Sequence, residues 1–131
     1  NAQGKAYAYD ATNNQFKSLD NINAIFTGWG AIAVSPDKKS IVYVPDQSLV
    51  DVKKAGLDQE LYVFDLIQDS ATKLITLSGN ETFNSGCGAM SNVYEISWVD
   101  DNTINYGVFK QNSGTCQSNK NKIEDRQVAT K

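Results

Sequence analysis

Apolar and polar residues alternate along this chain with a period of two rather than 3.6. The pattern is clearest in Lys5-Ala6-Tyr7-Ala8-Tyr9-Asp10, Ile41-Val42-Tyr43-Val44, Leu61-Tyr62-Val63-Phe64 and Tyr94-Glu95-Ile96-Ser97-Trp98. These runs are short, aromatic and β-branched, and Gly, Asn, Asp or Pro bounds them, so they read as strands. The only helical signal is one turn at Leu49-Val50-Asp51-Val52-Lys53-Lys54, within 45–60. The expected class is all-β.

The runs also repeat. Ala6-Tyr7-Ala8-Tyr9-Asp10 aligns with Leu61-Tyr62-Val63-Phe64-Asp65. Val34-Ser35-Pro36-Asp37-Lys38-Lys39-Ser40-Ile41-Val42-Tyr43 aligns with Trp98-Val99-Asp100-Asp101-Asn102-Thr103-Ile104-Asn105-Tyr106, one residue shorter. The offsets differ, as they do when repeats carry loops of variable length. Each unit reads as four antiparallel strands, A to D. Strand A is expected near 31–34 and 94–98, and strand B at 40–44 and 103–110. Strand C is expected at 60–65 and 123–128, and strand D at 15–19 and 73–77. The chain then runs C-D, A-B-C-D, A-B-C. This is a single domain, 1–131, made of a partial unit 5–20, a full unit 31–77 and a partial unit 93–128. Asn1-Ala2 read as an expression scar.

Composition narrows the chemistry. There are 12 basic and 15 acidic residues, a net charge of −3, and no histidine. Without histidine, Ser-His-Asp and Cys-His catalysis and histidine-ligated zinc are excluded. The acidic balance argues against nucleic acid as a partner, since phosphate binding wants a basic patch. No apolar run is long enough for a membrane span, so no membrane insertion is expected, and no signal-peptide pattern opens the chain. Cys87 and Cys116 each sit in a Gly/Ser/Asn-rich stretch. Two loop cysteines read as disulfide partners, which implies an oxidising, extracytoplasmic compartment. The alternative is two free surface thiols in a cytosolic protein.

At Ser35-Pro36-Asp37-Lys38-Lys39, Leu61-Tyr62-Val63-Phe64-Asp65-Leu66 and, more loosely, Lys73-Leu74-Ile75-Thr76, the sequence resembles the TolB-like, or WD-like, β-propeller repeat. The resemblance covers about residues 5–110 and implies four-stranded antiparallel blades. The third unit departs from it, with Val99-Asp100-Asp101-Asn102 in place of Ser-Pro-Asp-Gly. Lys38 stands where the family usually has glycine, so a type I turn without positive φ is expected there. The fold expectation is a partial propeller, with a small β-sandwich or barrel as the alternative. Propellers close with four to eight blades, and this chain holds about two. It is then a piece of a longer propeller, a subunit of a ring such as a trimer, or a rearranged compact β-fold. Exposed edge strands favour self-association or rearrangement over an open monomer.

The blade order puts the D-A and B-C loops on one face. Cys87 falls in a D-A connection and Cys116 in the next B-C loop, so a bridge between them suits the topology, at roughly 3–4 kcal/mol in the chain-entropy model. The longest loops converge on this face, which makes it the expected binding face. Its candidate residues are Trp29, Asp46, Asp51, Asp58, Gln111 and Asn112. The bland reading is that these loops are decoration. Asp10-x-Thr12-x-Asn14 has the opening spacing of a calcium loop but lacks its central glycine, and reads better as the C-D hairpin turn. Asp100-Asp101 reads as the A-B turn rather than a catalytic pair. Trp29 and Trp98 are aromatic enough to stack a ligand, though strand aromatics are more often core. Asn80-Glu81-Thr82 is a formal glycosylation sequon, and chance is its simpler explanation. No catalytic, cofactor or metal residues are expected. The expected function is non-enzymatic binding of a protein or small ligand through the D-A and B-C face. The alternatives are an accessory propeller of a peptidase-like enzyme, whose catalytic residues lie elsewhere, and a lectin-like sugar binder.

Overall fold

The computed structural model describes residues 7–19, 22, 31–45, 59–78, 80–83, 94–110 and 122–131. Within them ten strands and no helix are found: β1 (Tyr7–Asp10), β2 (Gln15–Ser18), β3 (Ile32–Val34), β4 (Ser40–Tyr43), β5 (Glu60–Asp65), β6 (Ser70–Thr76), β7 (Glu81–Thr82), β8 (Ile96–Trp98), β9 (Thr103–Lys110) and β10 (Lys122–Ala129). All pairings are antiparallel. β1 and β2 form a hairpin, and β3-β4-β5-β6 form a four-stranded meander. In the third sheet β9 pairs with β10 on one edge and with β7 and β8 on the other. The class is all-β with stacked, propeller-like blades. Among the described residues the three sheets remain distinct. The expected helical turn at 49–54 lies outside the described residues.

The period-two pattern explains the stacking. Along β4, Ile41 and Tyr43 point to one face and join Leu19 and Phe64 in a cluster closed by Ala8 and Ile22. Val42 and Val44 point to the other face. They join Leu61, Leu77, Phe83, Ile96, Ile104, Tyr106 and Val108 in the larger cluster. The central sheet is therefore covered by the hairpin on one face and by the third sheet on the other. A strand buried on both faces must be apolar at every position, which accounts for the unbroken Ile41-Val42-Tyr43-Val44 run. Phe64 and Phe83, both fully buried, anchor the two clusters. Each contributes about 1.5–3 kcal/mol by leaving water.

The units share main-chain bonds as well as sequence. The Ser35 amide donates to the Ser40 carbonyl, and the Val99 amide donates to the Thr103 carbonyl. The Leu66 amide meets the Lys39 carbonyl just as the Thr130 amide meets the Asn102 carbonyl. The Val44–Ala31 bond has its counterpart in Gly107–Glu95.

Three expectations need correction. Strand D of the full unit begins at Ser70, not Lys73, because a tight turn at 66–69 returns the chain at once. β7 was not expected. It lies within the D-A connection and pairs with the far end of the long strand β9. Lys38 has φ 64°, so the Ser-Pro-Asp turn does use a left-handed residue. Side-chain bonds hold it there. The buried Ser35 hydroxyl donates to Asp37 Oδ1 at 2.6 Å and accepts the Ser40 amide at 2.9 Å, while Asp37 Oδ1 accepts the Lys39 amide at 3.0 Å.

Candidate functional site

Antiparallel order divides the molecule into two unlike ends. At one end lie the A-B and C-D turns, which are short and internally bonded. Asp10 Oδ1 accepts the Thr12 and Asn13 amides, and Asp65 Oδ1 accepts the Ile67 and Gln68 amides. Each of these turns ends on a left-handed residue, Asn14 (φ 51°) or Asp69 (φ 56°), types that tolerate that region well. Asp10-x-Thr12-x-Asn14 is thus a repeated hairpin turn whose carboxylate serves its own backbone. Asp100 Oδ1 accepts the Asn102 amide, and Asp101 accepts the Asp37 amide at 2.9 Å, so the two A-B turns touch. These bonds hold the Asp10, Asp37 and Asp65 carboxyls below the ordinary aspartate value. The leading causes are the Thr12 amide, the Ser35 hydroxyl and the Gln68 amide, respectively.

The opposite end carries the long connections, 19–31, 44–59, 77–95 and 111–121. Every candidate binding residue falls in one of them. Trp29, Asp46, Asp51, Asp58, Gln111 and Asn112 lie outside the described residues, as do Cys87 and Cys116. What is described is the ground they stand on. Gln59, at the root of 44–59, is 6% exposed. Its Oε1 accepts the Phe83 amide at 2.8 Å, and its carbonyl accepts the Leu77 amide. Glu60 pairs with Lys73 and accepts the Tyr62 hydroxyl, which raises the Tyr62 pKa. Glu95 and Asp125 both pair with Lys122 at the start of β10, and the bond to Glu95 leads in raising its pKa. Glu81 holds Arg126 by two parallel bonds of 2.9 and 3.0 Å, which tie β7 to β10 across β9 and push the guanidinium pKa further up. These paired charges at the loop roots were not read from the sequence. The partners in Glu60–Lys73, Glu95–Lys122 and Glu81–Arg126 are 13, 27 and 45 positions apart, and register brings them together.

Two other sequence candidates resolve structurally. Trp98 packs against the larger core and donates Nε1 to the Ala33 carbonyl at 3.0 Å, joining one unit to the next. Thr82 of the sequon is 4% exposed within β7, and Glu81 is held by Arg126.

A cleft of about 960 Å³ lies between the hairpin and the central sheet. Its walls include Ala8, Ile32, Val34, Ile41 and Leu66, and Lys17 bridges it, reaching the Leu66 carbonyl at 3.3 Å and Asp69 at 3.6 Å. Tyr7, Tyr9 and Phe16 of the hairpin also line it and are more than half exposed, with Tyr9 and Phe16 ring centres 4.8 Å apart. The sequence shows the alternation of these aromatics but not their exposure. Among the described residues, no group of three or more Asp, Glu or Cys is placed to hold a metal ion.

No family model matches this chain, and no curated protein matches it. Among solved structures it is similar to the β-propeller domain of the Trilobed protease from Pyrococcus furiosus, whose reported topology is an open velcro. The identity is 15% and the TM-score 0.45, over 94% of this chain and 34% of that one. The chain thus spans about a third of the length of that domain.

Proposed function

We propose that this chain is a non-enzymatic, extracytoplasmic, propeller-like domain of TolB-like type that binds a protein or small ligand through its long-connection end. The supporting observation is the division between the ends. At one end the turns are tight and use up their own polar groups. The other end carries all the long connections on roots fixed by Gln59 and by the Glu60–Lys73, Glu81–Arg126 and Glu95–Lys122 pairs. Rigid roots under long loops are the arrangement in which binding residues concentrate on loops. Trp29, Asp46, Asp51, Asp58, Gln111 and Asn112 are the proposed contact residues. A Cys87–Cys116 disulfide joining two of these connections fits the same reading.

The test is a screen of the full chain against a glycan array and a displayed peptide library. Two variants run alongside, Trp29→Ala/Asp51→Ala at the loop end and Phe16→Ser on the hairpin. Ligands lost only by the loop variant support the proposal. Ligands lost only by Phe16→Ser move recognition to the hairpin, and an empty screen on both panels removes the proposal. Mass spectrometry without reductant tests the disulfide, since a bridged chain is lighter by two hydrogens.

A further inference from the structure

In the third sheet, two separate pieces of chain lie on one line. β7 and β8 both pair with the edge of β9 opposite β10, and both run antiparallel to it. Glu81 faces Lys110, and Thr82 faces Phe109. Ile96, Ser97 and Trp98 face Tyr106, Asn105 and Ile104, and the Gly107 amide donates to the Glu95 carbonyl at 2.8 Å. Continuing the first register puts Phe83 opposite Val108. Continuing the second puts Glu95 opposite Gly107 and Tyr94 opposite Val108. Phe83 and Tyr94 therefore meet at one position of β9, although residues 84–93 separate them along the chain.

Both sides of this junction are fixed by contacts that do not involve 84–93. Phe83 is fully buried, its amide donates to Gln59 Oε1 at 2.8 Å, and its ring meets Tyr106 edge-on with centres 5.7 Å apart. Tyr94 is 4% exposed and belongs to the same buried cluster as Phe83. Neighbours on a regular strand point to opposite faces, so these two cannot be a regular step. Two residues of one strand against a single partner residue are the pattern of a β-bulge. After the junction the alternation is regular, with Glu95 exposed and Ile96 in the core.

We propose that 81–83 and 94–98 are one strand, that 84–93 is an insertion at a bulge within it, and that the sheet does not require the insertion. Joining Phe83 directly to Tyr94 keeps every described side chain and every pairing of β9. Successive positions along a strand are about 3.3 Å apart, a step that one peptide bond covers. The D-A connection proper then ends at Glu81. The core makes no demand on the sequence of 84–93, which is therefore the part of the long-connection end most open to change. The insertion stands whatever that end binds.

The test compares the full chain with a variant lacking 84–93, both with reductant present so that no bridge between Cys87 and Cys116 contributes in the parent. A second variant carries Gly-Gly in place of 84–93, which relieves any strain of the direct join. In at least one variant, NMR should show the Thr82–Phe109 and Ile96–Tyr106 cross-strand contacts with the partners they have in the parent, and a protected Phe83 amide. Thermal unfolding of that variant should stay cooperative, with a Tm no more than about 5 °C below the parent's. Loss of either pairing, a shift of either register or loss of cooperative unfolding in both variants overturns the proposal. So does a Tm that falls further than this in both.

Discussion

Gln59→Met tests the reasoning about the loop-bearing end most directly. The substitution nearly preserves side-chain volume, so the packing penalty is small, under about 1.5 kcal/mol for such swaps. What changes is the acceptor. Gln59 Oε1 receives the Phe83 amide at 2.8 Å, and Phe83 itself is 0% exposed. Met leaves that amide without a partner in a site closed to water, which costs about 1–3 kcal/mol. Against a total stability of about 5–15 kcal/mol this is a large fraction. For a chain of this length it corresponds to a fall in Tm of roughly 5–12 °C. The assay is urea unfolding followed by tryptophan fluorescence, read as a lower midpoint at unchanged slope. Amide hydrogen exchange then localises the effect, because the Phe83 amide should lose protection while amides in β4 and β5 keep theirs relative to global stability. If the midpoint barely moves and the Phe83 amide stays protected, the buried-acceptor argument is wrong.

Three further outcomes are expected. Lys38→Gly should stabilise the chain by about 0.5–1 kcal/mol. A left-handed residue with a Cβ costs about 1–2 kcal/mol, and glycine's extra unfolded-state freedom returns part of it, so a loss of stability in thermal melts would refute the strain at φ 64°. Acid should destabilise the chain through its turns. The folded pKa values of Asp10, Asp37 and Asp65 lie below the ordinary 3.8, so their contribution is complete above that value and is lost as pH falls through the lower folded values. Unfolding midpoints between pH 2 and 6 should show this limb, and Asp10→Asn with Asp65→Asn should flatten it. Gly107→Val should cost about 1–3 kcal/mol by overpacking, since a Cβ there meets Glu95 Oε2 at 2.9 Å and the buried Phe109 ring at 3.1 Å. A variant as stable as the parent in urea would show that this corner of β9 has room.

The sequence alone determined the class, the unit order and most strand positions, because alternation is a local property that fixes which residues of a strand share a face. Asp65-Leu66-Ile67-Gln68-Asp69 and Asp10-Ala11-Thr12-Asn13-Asn14 are legible as one turn, since an aspartate bonds amides two and three residues ahead wherever the chain reverses. The Lys38 conformation was misread because the intrinsic cost of a left-handed lysine was weighed without the Ser35 and Asp37 side-chain bonds that offset it. β7, the Gln59–Phe83 bond and the Glu81–Arg126 pair were not legible at all, because they join residues 24 and 45 positions apart. Only the tertiary structure decided which faces are covered. Tyr9 and Phe64 hold the same position in the same repeat, yet one is half exposed and the other sealed. What seals Phe64 is the neighbouring unit, and no local pattern records that neighbour.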